Sequence, residues 1–127
     1  MNQPFIIPTI TTNENGISIF STVDFDVHQR GGLFLSEQIL SKNFRIRKSD
    51  VGYTTDFHLS GDATFIIIQK GSLKIELQNG ESNIFTAGDS FIAEDNLPES
   101  IEFNIQIHGH KASVVGNETL QAIHIKL

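Results

Sequence analysis

Asp56, His58 and Ser60 lie two residues apart along the chain, and so do His108 and His110. On an extended strand, residues i and i+2 point to the same side, so each set aims its side chains at one place. Imidazole combined with carboxylate oxygen can hold a divalent metal or move a proton near neutral pH. No cysteine is present, which removes disulfides, thiolate zinc sites and cysteine nucleophiles. A nitrogen and oxygen donor set suits zinc, nickel, iron or manganese better than copper(I). Tight binding needs three or four such groups to converge, so the elements that carry them matter as much as their identity.

Those elements read as short strands. Leu73, Ile75 and Leu77 alternate with Lys74 and Glu76 and run into Asn79-Gly80, a hairpin pair in which both residues accept positive φ. Ile101, Phe103, Ile105 and Ile107 alternate with polar residues through His108, and Ile123, Ile125 and Leu127 alternate with His124 and Lys126. Both patterns predict half-buried strands with the apolar set inward. Phe65 to Ile68 is continuously apolar and predicts a strand covered on both faces at the centre of the core. Ser36 to Ser41 is the one stretch with room for a short helical turn. Pro4, Pro8 and Asn15-Gly16 break the N-terminal segment, so residues 1–16 are expected as an extended arm and residues 17–127 as one barrel domain. Short strands at regular spacing, punctuated by glycine and asparagine, favour a barrel or jelly roll over a parallel α/β sheet.

From Gly52 the spacing resembles the first cupin motif, with Gly52, His58 and Gly71 in place. Ser60 stands at the second histidine position of that motif and Thr64 at its glutamate. Gly88-Asp89 and Pro98 resemble the second motif, with Glu99 at its histidine position. The chain is also similar to a subgroup of small single-domain bacterial cupins through Gly32, Ser36-Glu37, Gly52-Tyr53, Asp56, His58, Gly80-Glu81, Glu94-Asp95, Gly109-His110 and Val115-Gly116. This resemblance implies an all-β fold, the double-stranded β-helix or jelly-roll barrel. It also implies a pocket in the barrel mouth lined by Asp56, His58, Ser60, Thr64 and His110. A metal, if held, would fall to His58, His110 and Glu99, with zinc, nickel, iron or manganese as the divalent ion.

Each residue has a plainer role to weigh against this one. His58 can be a pocket histidine hydrogen-bonded to a neighbour, and His108 and His110 can extend a polar face toward water. Glu99 can be an exposed loop carboxylate, and Asp89 a turn residue bonding backbone amides. Asp95 and Glu94 end a strand near the mouth, where burial would couple their ionisation. His28 and His124 have no partner at ligand spacing and read as surface or interface residues. Arg45, Arg47 and Lys48 alternate with Phe44 and Ile46 and read as a solvated strand face.

Composition narrows the function classes. Apolar residues make up 39% of the 127, enough for one ordinary core and against intrinsic disorder. The net charge of -6 disfavours nucleic acid and anionic membranes as partners. No run approaches the about 18 apolar residues of a membrane span, and no signal segment leads the chain, so the expected location is cytoplasmic. Nucleophile-elbow, phosphate-loop and His-Glu-x-x-His patterns are absent. Three readings follow. The first is a barrel that binds a small molecule with a reduced or absent metal site. The second is a metal-dependent isomerase, oxygenase or lyase using His58 and His110. The third is a non-catalytic module that pairs as a homodimer.

Overall fold

Period-two patterning gives this chain strands with one face for a core, and the computed structural model, which describes residues 3–127, arranges eleven of them. They are β1 (Phe5–Thr12), β2 (Ser18–Phe25), β3 (His28–Arg30), β4 (Leu33–Leu35), β5 (Asn43–Ser49), β6 (Thr64–Lys70), β7 (Ser72–Leu77), β8 (Ser82–Thr86), β9 (Ser90–Ala93), β10 (His110–Val115) and β11 (Leu120–Lys126). A six-stranded sheet runs β2-β1-β9-β6-β11-β5, a three-stranded sheet runs β10-β7-β8, and β3 and β4 form a separate hairpin. One core lies between the two larger sheets. Ile66, Ile68, Phe91 and Ala122 reach it from the first, and Leu73, Ile75, Leu77 and Phe85 from the second. Phe85 and Phe91 stack across it with centroids 4.2 Å apart. The fold is the all-β jelly-roll barrel that the strand pattern implied, and no helix among the described residues is long and apolar enough to cross a membrane.

Several local expectations change. Residues 101–107 form turns and irregular chain instead of a strand, and Ile101, Phe103, Ile105 and Ile107 are all exposed. Their backbone finds no ladder. The Gln78 side chain instead donates to the Ile105 and His108 carbonyls, and the segment folds on itself through Asn104. Residues 36–41 contain no helical turn. The strand over Phe65 to Ile68 is covered fully on one face only, because Ile66 and Ile68 are buried while Phe65 and Ile67 are half-buried. The 78–81 hairpin forms with positive φ at Gly80 alone, since no other residue type takes positive φ among the described residues. Asn79 contributes its side chain instead, accepting the Glu81 N–H at 2.9 Å.

Within the segment expected as an arm, residues 5–12 are β1. This strand pairs antiparallel with β2 along its whole length and parallel with β9 through Thr9 and Ile10. Ile10 is fully buried. The Asn15-Gly16 signal marks the β1–β2 turn, and Met1 and Asn2 lie outside the described residues.

Candidate functional site

The site begins where the small sheet continues past β10. Thr55 N–H donates to the Ala112 carbonyl, and His58 and His110 exchange both backbone bonds at 2.9 Å. This antiparallel bridge sets the two imidazoles side by side, with ring centroids 4.6 Å apart and planes tilted by 53°. His58 and His110 are therefore brought together from sequence positions 52 residues apart (110 − 58).

Behind them sits Asp95, with 0% of its surface exposed, just after β9. Its carboxylate accepts from Ser18 Oγ at 2.6 Å, Ser60 Oγ at 2.6 Å and His110 Nδ1 at 2.7 Å. One group thus ties together β2, the 58–60 segment and β10. Burial by itself would raise the Asp95 carboxyl, but the His110 hydrogen bond, attraction to His110 and the two serine hydroxyls outweigh it and hold the group below its ordinary value.

The same bonds fix the chemistry of the rings. His110 Nδ1 points to Asp95, while His58 Nδ1 meets the Asp56 carbonyl at 2.9 Å. No side-chain polar atom fully shut from solvent lacks a partner among the described residues, and neither Nε2 has a protein partner there. Both rings line the same cavity.

That cavity, of about 110 Å³, lies between the sheets. Ile66, Leu73, Ile75 and Phe91 form its apolar wall, Tyr53 and Thr55 flank the histidines, and Arg47 and His124 also line it. His124 comes from the inward face of β11, two residues after the buried Ala122. Burial, then the charges of Arg47, Lys126 and Arg45, push its imidazole down to about 4, so it is neutral at pH 7.

The expected pocket residues divide. His58 and His110 line the cavity, and Ser60 supports them through Asp95. Asp56 is exposed and contributes only its carbonyl. Thr64 is buried on β6 but turned away, bonding the Asp62 carbonyl and Lys126 Nζ. Glu99 is exposed in the loop after Pro98 and reaches none of these groups. His108, expected on a wet polar face, is buried, and its Nδ1 accepts the Asn104 N–H at 2.9 Å. Asp89 takes the turn role read from sequence, accepting the Thr86 N–H at 2.8 Å.

For a metal, the donors present do not fit. Two imidazoles line the cavity, Asp95 is already committed to four donors, and no group of three or more histidine, aspartate or glutamate side chains is placed to hold an ion among the described residues. Two nitrogens fall short of the three or four ligands such sites use.

Sequence reasoning missed Asp95 as the hub, and missed His124 and Arg47 as cavity residues. A signal existed for two of them. Asp95 continues the i, i+2 series Phe91, Ala93, and His124 continues Leu120, Ala122.

No protein-family model matches the chain, and no curated protein matches it. Among solved structures, it is similar to a cupin domain from Bordetella pertussis Tohama I at 15% identity, covering 99% of this chain and 96% of that one, with a TM-score of 0.46. It is also similar to the Schizosaccharomyces pombe Cnp3 cupin domain at 11% identity, covering 100% of this chain and 90% of that one, with a TM-score of 0.47.

Proposed function

We propose that this chain is a cupin-type barrel that binds a small molecule in its interior without a metal ion. The observation that carries this reading is the His58–His110 pair, with both Nδ1 atoms engaged by the protein and both rings on the wall of a largely apolar cavity. A largely apolar cavity with imidazoles on its wall suits a small, mainly apolar ligand with one polar end, because water is a poorer tenant of apolar walls. Asp95 sets the tautomer and orientation of His110 without itself facing the ligand. The metal-dependent isomerase, oxygenase or lyase reading lacks a third ligand, since Glu99 stands in an exposed loop.

Zinc loading tests this directly. After incubation with zinc and gel filtration, elemental analysis should find less than about a tenth of an ion per chain, because two imidazoles do not close a site. Stoichiometric zinc that disappears in both His58→Ala and His110→Ala would establish the metal-centred reading instead.

The homodimer expected from the sequence has an observation of its own. Phe44 and Ile46 on edge strand β5 are 69% and 61% exposed, and they pair in register with Ile125 and Ile123 of β11. They extend an apolar outer sheet face that includes Phe65, Ile92 and Phe5. We propose that a second copy covers this face, since an edge strand with an apolar face is otherwise an aggregation risk. Light scattering should give a dimer mass that falls to a monomer in Phe44→Glu with Ile46→Glu; a wild-type monomer removes the proposal.

A further inference from the structure

The interior cavity is not closed at the β5 end. Arg47 and His124 line both the cavity of about 110 Å³ and an outer groove of about 440 Å³, which Arg45, Lys126 and Lys42 also line. The register explains the clustering. Arg45 pairs with His124, and Arg47 with Ala122, so both arginines project from the same sheet face as the buried core residues of β11.

This is an unusual place for cations in a chain of net charge -6. With fifteen carboxylates to nine lysines and arginines, surface pairing would be easy, yet neither arginine nor Lys126 has a carboxylate within 4.0 Å among the described residues. The groove has one acid, Asp62, and it faces Lys42 at 4.0 Å. Lys126 Nζ donates to the Thr64 hydroxyl, which carries no charge. Like charges gathered without a counter-charge repel one another, and an anion between them relieves that repulsion. The depressed imidazole of His124, caused after burial by Arg47, Lys126 and Arg45, reports the positive potential at this spot.

We propose that Arg45, Arg47, Lys126 and His124 hold the carboxylate of a short-chain acid, whose apolar part enters the cavity behind Arg47. This rests on the small-molecule reading above and names its ligand class. A planar guanidinium grips a carboxylate with two parallel bonds, which neither lysine nor a neutral pocket does. The cavity has room for a short aliphatic chain, since its volume exceeds several times the about 30 Å³ share of one water.

Three probes test it on the full chain by ¹H–¹⁵N NMR: butyrate, its neutral analogue butyramide, and inorganic phosphate. Butyrate should shift the signals of Arg47, Ala122 and His124 and raise the pH at which His124 titrates well above about 4. Arg45→Gln combined with Arg47→Gln should weaken butyrate about tenfold or more and leave the remaining spectrum in place, since both side chains are exposed. Butyramide binding as well as butyrate overturns the carboxylate assignment and leaves the small-molecule reading standing. Phosphate binding as tightly as butyrate overturns the role given to the apolar chain. If none of the three moves any signal from a cavity residue, both readings fall.

Discussion

Asp95→Asn should lower the melting temperature by roughly 10–15 °C, although it changes one atom and leaves no hole. Four donors converge on the carboxylate: the Ser18 and Ser60 hydroxyls, the Ser60 N–H and His110 Nδ1. A carboxylate meets them with two acceptor oxygens, whereas an amide has one oxygen and turns an NH2 group toward a donor. Leaving buried donors unpaired, and removing the anion opposite His110, costs about 3 kcal/mol. In a domain of this size 1 kcal/mol moves the melting temperature by roughly 3–6 °C. The effect has a pH signature. Because Asp95 is held below its ordinary value of 3.8, the stability it supplies is complete above that pH and is lost as pH falls through the still lower folded value. The gap between wild type and Asp95→Asn should therefore be present above about pH 4 and close below it. Thermal melts across that range decide the matter, and equal melting at pH 7 would mean that Asp95 is not the hub.

How much of this was legible in the sequence depends on which face of each strand is covered. The β7 pattern was readable because one side faces the core and carries Leu73, Ile75 and Leu77, whereas in β6 apolar residues on both sides hid that only Ile66 and Ile68 are buried. In β11 both sides carry apolar residues. Ile123 and Ile125 look like an inward set beside His124 and Lys126, yet the buried residues are Leu120 and Ala122, which puts His124 inside. A β-bulge between Gln121 and Ala122 adjoins this change, and the outer face is itself apolar enough to invert the inference. Arg47 is exposed, as its alternation with Phe44 and Ile46 suggested, but its register with Ala122 puts it on the face that borders the cavity, which the alternation could not show.

The 101–107 alternation shows the opposite failure. Period two needs a partner ladder to become a strand, and none reaches these residues, so turns around Asn104 and His108 satisfy the backbone instead. At the site itself, residue types were informative where spacing was not. The motif resemblance pointed to His58 and Gly109-His110, and the structure places those histidines side by side. Ser60, standing where a second histidine would be, is a hydrogen-bond donor to Asp95 instead. Glu99, chosen by motif position alone, has no structural reason to approach them, because a polar loop after Pro98 carries it to the surface.

The contact that brings the histidines together also explains the glycine before His110, and a substitution there should destabilise the fold as strongly as the loss of Asp95. Gly109 has φ +84°, and a Cβ at this position would lie 2.5 Å from the His58 carbonyl oxygen, 2.7 Å from its carbon and 2.9 Å from its nitrogen. These are backbone atoms that no rotamer change can move aside. In Gly109→Ala the His58 segment must retreat, breaking the two 2.9 Å bonds that join it to His110. About 1–2 kcal/mol for the left-handed backbone, with about 1 kcal/mol for each bond lost, predicts a total near 3–4 kcal/mol. Gly80→Ala separates the two causes. Gly80 also has positive φ, at +93°, but nothing lies within 4 Å of the place its methyl would take, so it incurs only the conformational part, about 1 kcal/mol. Denaturant unfolding of both variants should show Gly109→Ala less stable than Gly80→Ala by about 2 kcal/mol or more, with fast amide exchange at His58 and His110 in the first alone. Equal destabilisation would mean that the His58–His110 bridge does not depend on close backbone approach at residue 109. The paired imidazoles would then need another cause.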